Sequence, residues 1–231
     1  AKRHDFRKAI ATGKLLLMPG AHAPIVARML EELSFDGIYI SGAALSAELA
    51  LPDIGLTSLI EVTQRGRQIA RVTDRPAIID VDTGFGGALN AARTVQEVEG
   101  LGLAGCHMED QITIKRCGHL DNKILIETQE MVQKLKAAVE VRQDQNFLIM
   151  ARTDANGVEG LEAAINRAKA YVDAGADAIF PEALTKPEEY NKFRNAIEVP
   201  LLANMTEFGK TPLYQKKKLE EFGYNIVIYP V

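Results

Sequence analysis

The sequence predicts an α/β fold, a (β/α)8 barrel of the TIM type, and three observations predict it. Eight short runs are apolar at both alternating positions, as strands covered on both faces must be. Segments with helical spacing separate them, the alternation that builds parallel βαβ units. Polar and ionisable residues gather at one end of six of these runs, and in such barrels the chemistry sits where strands end and βα loops begin.

The runs, in order, are "KLLLMPG" (14–20), "GIYISG" (37–42), "PAIIDVD" (76–82), "AGCHMED" (104–110), "FLIMARTD" (147–154), "AIFPEA" (178–183), "PLLANM" (200–205) and "NIVIYPV" (225–231). Between the first two, "PIVARMLEELSFD" sets Ile25, Val26, Met29, Leu30 and Leu33 on one helical face. "LEAAINRAKAYVDAGA" does the same with Leu161, Ala164, Ile165, Ala168 and Val172, and Gly175 follows as a C-terminal cap. Further helices read at 57–74, 88–101, 127–142, 186–196 and 212–222. No linker or low-complexity tract interrupts residues 1–231, which therefore read as a single barrel domain ending at strand eight. The C-terminal helices that would cover that strand are missing from this chain; their exchange between subunits is one way to cover it, and a homo-oligomer is expected.

Composition narrows the function. The 231 residues carry 27 Lys and Arg against 31 Asp and Glu, a net charge of −4, which argues against a nucleic-acid or acidic-membrane partner. No apolar run approaches the ~18 residues that span a bilayer, and the N-terminus lacks a secretory pattern. Two cysteines, Cys106 and Cys117, make no disulfide framework. A reducing cytoplasm is the simplest compartment, with a mitochondrial matrix as the alternative.

The strand ends supply the candidate site. Run two ends in Ser41, Gly42 and Ala43; run three carries Asp80 and Asp82; run four ends in Glu109 and Asp110. Run five ends in Arg152 and Asp154, run six in Glu182, run seven in Asn204 and Thr206. Asp80 and Asp82, two apart on a strand, share a face and repel unless a cation sits between them or one is protonated. With Glu109 they make an oxygen donor set suited to Mg²⁺; capping a helix or pairing with a lysine is the structural alternative. Arg152 offers a fork for a carboxylate or phosphate, or pairs structurally with Glu182 or Asp154. The glycines of "DTGFGGALN" (82–90) lack phosphate-loop spacing and read as tight-turn residues. His22, His107 and Cys106 read as core, and "KKKLEE" (216–221) as a solvated helix face.

"KRCGH" (115–119) is different in kind. Lys115, Arg116 and His119 surround Cys117, and positive neighbours favour a reactive thiolate. The motif falls in a long stretch, 110–126, that reads as a mobile lid.

Taken together, "DVDTGFGG", "HMED", "KRCGH", "ARTDA" and "NMTEFGKTP", in this order through nearly the whole chain, resemble the isocitrate lyase/phosphoenolpyruvate mutase superfamily. The long insertion and serine/proline-rich seventh-strand motif of isocitrate lyases are absent, whereas the cysteine that mutases lack is present. The resemblance is to the branch that cleaves 2-methylisocitrate into pyruvate and succinate with Mg²⁺; a 2,3-dimethylmalate or isocitrate lyase and a carboxyphosphonoenolpyruvate-type mutase are the alternatives. It implies Mg²⁺ at Asp80, Asp82 and Glu109, partly through water. It implies a small tri- or dicarboxylate bound by Ser41, Gly42, Ala43, Asp53, Cys117, Gly118, Arg152, Glu182, Asn204 and Thr206. It also implies a tetramer and catalysis by Cys117 with Lys115, Arg116 and His119, Cys117 acting as general acid with its pKa tuned by these cations. Tyr39, Asp53 and a metal-bound water stand as candidate bases.

Overall fold

The structure, a computed structural model, describes residues 1–207 and 209–230. Eight strands run β1 (Leu16–Pro19), β2 (Ile38–Ile40), β3 (Ala77–Asp80), β4 (Gly105–Glu109), β5 (Leu148–Thr153), β6 (Ala178–Pro181), β7 (Leu202–Asn204) and β8 (Ile226–Tyr229). Every ladder is parallel, β2 to β6 in chain order on one arc and β1–β8–β7 on the other. Parallel bridges at Gly20–Tyr39 and Ile179–Leu201 join the two arcs, so the ring closes as the sequence predicts. Among the described residues, closure leaves no sheet edge to pair with another chain.

The strand period of two sorts the side chains. Leu16, Met18, Tyr39, Ile78, Leu148, Met150, Ala178, Phe180, Leu202, Ile226 and Ile228 form one buried cluster inside the barrel. Their neighbours, among them Ile38, Ile79, Cys106, Ile149, Ile179 and Val227, pack outward against the helices in a second cluster. Each buried aliphatic side chain contributes about 1.5–3 kcal/mol, so continuous apolarity on both faces is what makes the ring pay its ordering entropy.

The helices are α1 (Lys2–Ala11), α2 (Pro24–Glu32), α3 (Gly42–Glu48), α4 (Leu59–Ala70), α5 (Ala88–Gly100), α6 (Thr128–Val141), α7 (Leu161–Asp173), α8 (Pro187–Ala196) and α9 (Lys216–Glu221). α4 begins at a reciprocal cap: Glu61 N donates to Ser58 Oγ at 3.3 Å, and Ser58 N to Glu61 Oε2 at 2.7 Å. α7 keeps its expected face, with Ala164, Ile165 and Ala168 buried and Gly175 at φ +102° just beyond it. Residues 212–215 stay outside α9, which is shorter than its sequence pattern.

The structure departs from the sequence reading at three helices. α1 and α3 are not anticipated; Phe6 and Ile10 of α1, four residues apart, enter the inner cluster and plug the N-terminal end of the barrel. The predicted face of α2 is only half right. Leu30 is buried together with Ala27, whereas Ile25, Met29 and Leu33 are 66%, 54% and 68% exposed. The apolar stripe of α2 is wider than the barrel surface it meets, and only one edge of it is covered.

Candidate active site

The inward series of each strand changes character as it climbs. Ile78 is followed by Asp80 and Asp82, Met150 by Arg152, Phe180 by Glu182 and Leu202 by Asn204, while β4 presents His107 and then Glu109. All seven of these polar side chains are buried at the C-terminal mouth. Asp80 accepts from Asp82 N at 3.0 Å and from Gly42 N at 3.3 Å. A Cβ on Gly42 would stand 3.0 Å from Asp80 Oδ2, so glycine is what lets this backbone come so close. Ser41 starts α3 by accepting from Ala44 N at 3.3 Å, and Ala43 follows, half-buried. Asp82 sits at φ +46° and accepts from the Thr57 hydroxyl at 3.2 Å. Phe85 at φ +59°, with Gly84 and Gly86 also positive, continues the tight turn read from the sequence.

Charge is dense and unevenly satisfied. Arg152 grips Asp154 with two donors, Nε to Oδ2 at 2.9 Å and Nη2 to Oδ1 at 3.2 Å, and stacks on the Phe180 ring. The same Nη2 lies 3.2 Å from Glu109 and 3.4 Å from Glu182. Arg152 therefore meets both structural partners foreseen for it while still facing the mouth. Burial and the nearby Asp154 push the Glu109 pKa well above the ordinary carboxylate range, Arg152 offsetting only part. Burial and Asp80 likewise raise Asp82. Burial works against Asp80 too, but the charges of Lys115 and Arg152 and the hydrogen bond from Asp82 N help to outweigh it, and that carboxyl is held low.

Residues 110–126 fold down over this mouth. Ile112 N donates to Ile124 O and Ile126 N to Asp110 O, both at 3.0 Å, so the two arms of the loop pair with each other. Lys115 reaches between two carboxylates, donating to Asp53 and lying 2.9 Å from Asp82 Oδ1. A Cβ on Gly118 would fall 2.4 Å from Arg152 Nη2 and 2.5 Å from Glu182 Cγ, so only glycine packs here. His119 Nε2 lies 3.4 Å from Glu182 and from Asn204 Nδ2, and its Nδ1 accepts from Lys210 N at 3.0 Å. Thr206 donates to Asn204 Oδ1 at 2.7 Å.

Arg116 stands apart: its side chain is exposed and only its backbone is tied, to Gln111. The environment of Cys117 also corrects the sequence reading. The thiol is half-buried and its pKa is raised, burial outweighing the donation from His119 N. Lys115 spends its charge on Asp53 and Asp82, so the cations of the motif do not favour the thiolate. Cys117 holds its proton.

His107, read as core, lies in the floor of the site: Tyr39 stacks on it and bonds its Nε2 at 2.8 Å, and Asp80 is 3.8 Å from its Nδ1. Burial lowers its pKa to about 4, and it is neutral. Cys106 fits the core reading, its thiol pushed up to about 12 by burial. His22 does not; it is exposed. Asp110, Thr57 and Lys123 support the site with no role assigned to them from the sequence. Asp110 closes one of the predicted strand ends, whereas Thr57 and Lys123 carry no local signal.

A magnesium ion fits this donor set in one way. Both Glu109 oxygens lack a hydrogen-bond partner among the described residues, in a site rich in hard oxygen donors. Among the described residues no three His, Cys, Asp or Glu side chains are arranged to ligate one ion together. One or two carboxylates with water completing the shell is the arrangement Mg²⁺ ordinarily takes.

The fold and this site define a barrel enzyme of small carboxylates. Residues 6–231 match the phosphoenolpyruvate phosphomutase family model. A probable 2-methylisocitrate lyase of Corynebacterium glutamicum is 58% identical, over 100% of this chain and 75% of the relative. The 2-methylisocitrate lyase of Shewanella oneidensis is 50% identical over 98% and 78%. Among solved structures, 2,3-dimethylmalate lyase superposes with a TM-score of 0.96 at 34% identity, covering 100% and 78% of the two chains. Phosphonopyruvate hydrolase complexed with oxalate and Mg²⁺ gives 0.90 at 33%, covering 100% and 80%. The chain belongs to the phosphoenolpyruvate mutase/isocitrate lyase superfamily, and its curated relatives place it with the carbon–carbon lyases of that group.

Proposed function

We propose that this chain cleaves 2-methylisocitrate to pyruvate and succinate in a Mg²⁺-dependent reaction, as a step of propionate breakdown. The observation that carries the reading is the seating of Gly118 on Arg152 and Glu182, which brings the thiol loop onto the charged barrel mouth. One or two of Asp80, Asp82 and Glu109, with water completing the shell, would hold the Mg²⁺, which would supply positive charge to stabilise developing negative charge on substrate oxygen.

The chain's own residues do the rest. Arg152, Ser41 and the Gly42 backbone bind the carboxylate end that becomes pyruvate; His119, Asn204 and Thr206 receive the end that becomes succinate. A base, Asp53 or a bound water, takes the hydroxyl proton; the hydroxyl-bearing carbon becomes a ketone as the C–C bond breaks, and the electron pair passes to the succinyl carbon. That carbon then takes the proton of Cys117, whose thiol the site keeps protonated. Burial pushes the Tyr39 phenol well up, so Tyr39 donates rather than serving as the base. The paired arms of 110–126 exclude water while the carbanion exists.

A homo-oligomer, tetrameric by resemblance, working in the cytoplasm completes the proposal; exposed Ile25, Met29, Leu33 and Ile60 support subunit contact. Proton NMR of products tests the reaction, offering 2-methylisocitrate, isocitrate and 2,3-dimethylmalate in parallel, with Mg²⁺ or with chelator. Pyruvate and succinate from the first substrate alone, lost on chelation, is the expected result. No cleavage by protein that still binds Mg²⁺ overturns it.

A further inference from the structure

Lys123 takes no part in the chemistry above, yet it is 6% exposed. A buried ammonium is tolerated when it is paired and hydrogen-bonded, and the partners of this one are specific. Its Nζ donates to the carbonyl of Gly118, within the thiol motif, and to Asp154 Oδ1 at 3.1 Å. Gly157, in the short 3-10 turn after β5 (Ala155–Gly157), lies against it; a Cβ there would stand 3.4 Å from Nζ. One side chain from the C-terminal arm of the loop thus ties the turn that carries Cys117 to the loop after β5.

The anchor is itself fixed. Asp154 holds Arg152 in its two-donor grip, and its backbone N donates to Asp110 Oδ1 at 2.9 Å. Asp110 is fully buried and accepts from the Thr153 and Tyr171 hydroxyls, each at 2.8 Å. Lys134 provides the contrast. It is as buried, but its Nζ donates to the Thr83 carbonyl at 3.1 Å, away from the loop.

We propose that Lys123 is a positioning residue: by bridging the Gly118 carbonyl and the Asp154 carboxylate, it latches residues 115–119 over Arg152 and Glu182. Its effect on turnover rests on the lyase reading above. Its effect on the loop does not.

The two cysteines provide the readout, because Cys106 is 1% exposed in the core and Cys117 lies on the latched turn. Alkylation of the full chain by iodoacetamide, followed by peptide mass mapping, reports how often that turn opens. Lys123→Met is expected to raise the Cys117 rate roughly 10- to 100-fold, the scale of two lost charge-assisted hydrogen bonds. Lys134→Met, which removes an equally buried ammonium elsewhere, is expected to stay within about twofold of wild type. An unchanged rate in Lys123→Met overturns the latch, and so do equal rises in both variants, which would mean general loosening. Should Lys123→Met not fold, Lys123→Gln carries the same comparison, keeping a donor for Gly118 but losing the charge that faces Asp154. Labelling needs no substrate, so failure of the lyase reading leaves this test intact. With turnover in hand, Lys123→Met is expected to lower kcat roughly 10- to 100-fold and to leave Mg²⁺ affinity unchanged.

Discussion

The lower and upper halves of the barrel interior are built on the same strands with the same alternation, and they differ in almost everything else. Below, Met18, Ile78, Leu148, Leu202, Ile226 and Ile228 pack with Phe6 and Ile10 from α1 into an apolar plug. Above, one or two steps along the same strands, Asp80, Glu109, Arg152, Glu182 and Asn204 crowd together. The lower half gains stability from burying apolar area. The upper half gives some of it up: Glu109 is buried without a hydrogen bond among the described residues, and Asp82 is held at positive φ. A period of two carries the chain from one regime to the other within two residues, which is why stability and chemistry share a scaffold yet separate cleanly.

That separation can be attacked from either side. The largest effect is expected from Cys117→Ser, which lies wholly in the upper region. Turnover should fall by roughly 10²–10⁴-fold, the usual weight of a positioned proton donor, with Tm and Mg²⁺ binding unchanged. Retained activity would remove the thiol from the mechanism. Leu148→Ala strikes the lower half. Fully buried and packed against Gly105, where a Cβ would stand 2.6 Å from its own, Leu148 should cost about 2–5 kcal/mol in urea unfolding. Activity per folded molecule should hold, and a large loss of kcat there would show the two regions to be coupled.

The smallest effect belongs to the boundary, at His107. Burial depresses its folded pKa from 6.5 to about 4, against the raising influence of Asp80. Between these values the unfolded chain binds a proton that the folded chain refuses. The stability contribution is therefore complete above the unfolded pKa and is lost as pH falls toward 4, by an amount on the order of 3 kcal/mol. Urea midpoints of chelator-treated protein across this window, compared with His107→Asn, should show a steeper decline in the wild type. Parallel slopes would mean that His107 is not the neutral group at the boundary.

Much of this molecule is legible residue by residue. The carboxylates, Arg152 and Glu182 announce themselves because a strand alternates strictly and an ionisable residue at its end has one face to choose. Helix faces were less readable: α7 followed its pattern, while α2 carries more apolar surface than the barrel covers. α1 was missed because Phe6 and Ile10 stand alone among charged residues, a pattern that acquires meaning only when an open barrel end needs filling. At "KRCGH" the residue types pointed to a special thiol but to the wrong direction of its pKa, since charge in sequence is not charge in space. Lys115 turns to Asp53 and Asp82, Arg116 to solvent, and burial is left to act on Cys117.

By itself, then, the sequence determined the strand alternation, the closed parallel ring it implies and the inventory of groups at the mouth, because these follow from local periodicity. Tertiary structure alone decided which cation meets which carboxylate, that glycine must stand at 118, and that Lys123 reaches Asp154 across 31 residues of chain. Electrostatics and close packing act through distance, and distances between loops exist only once the ring has closed.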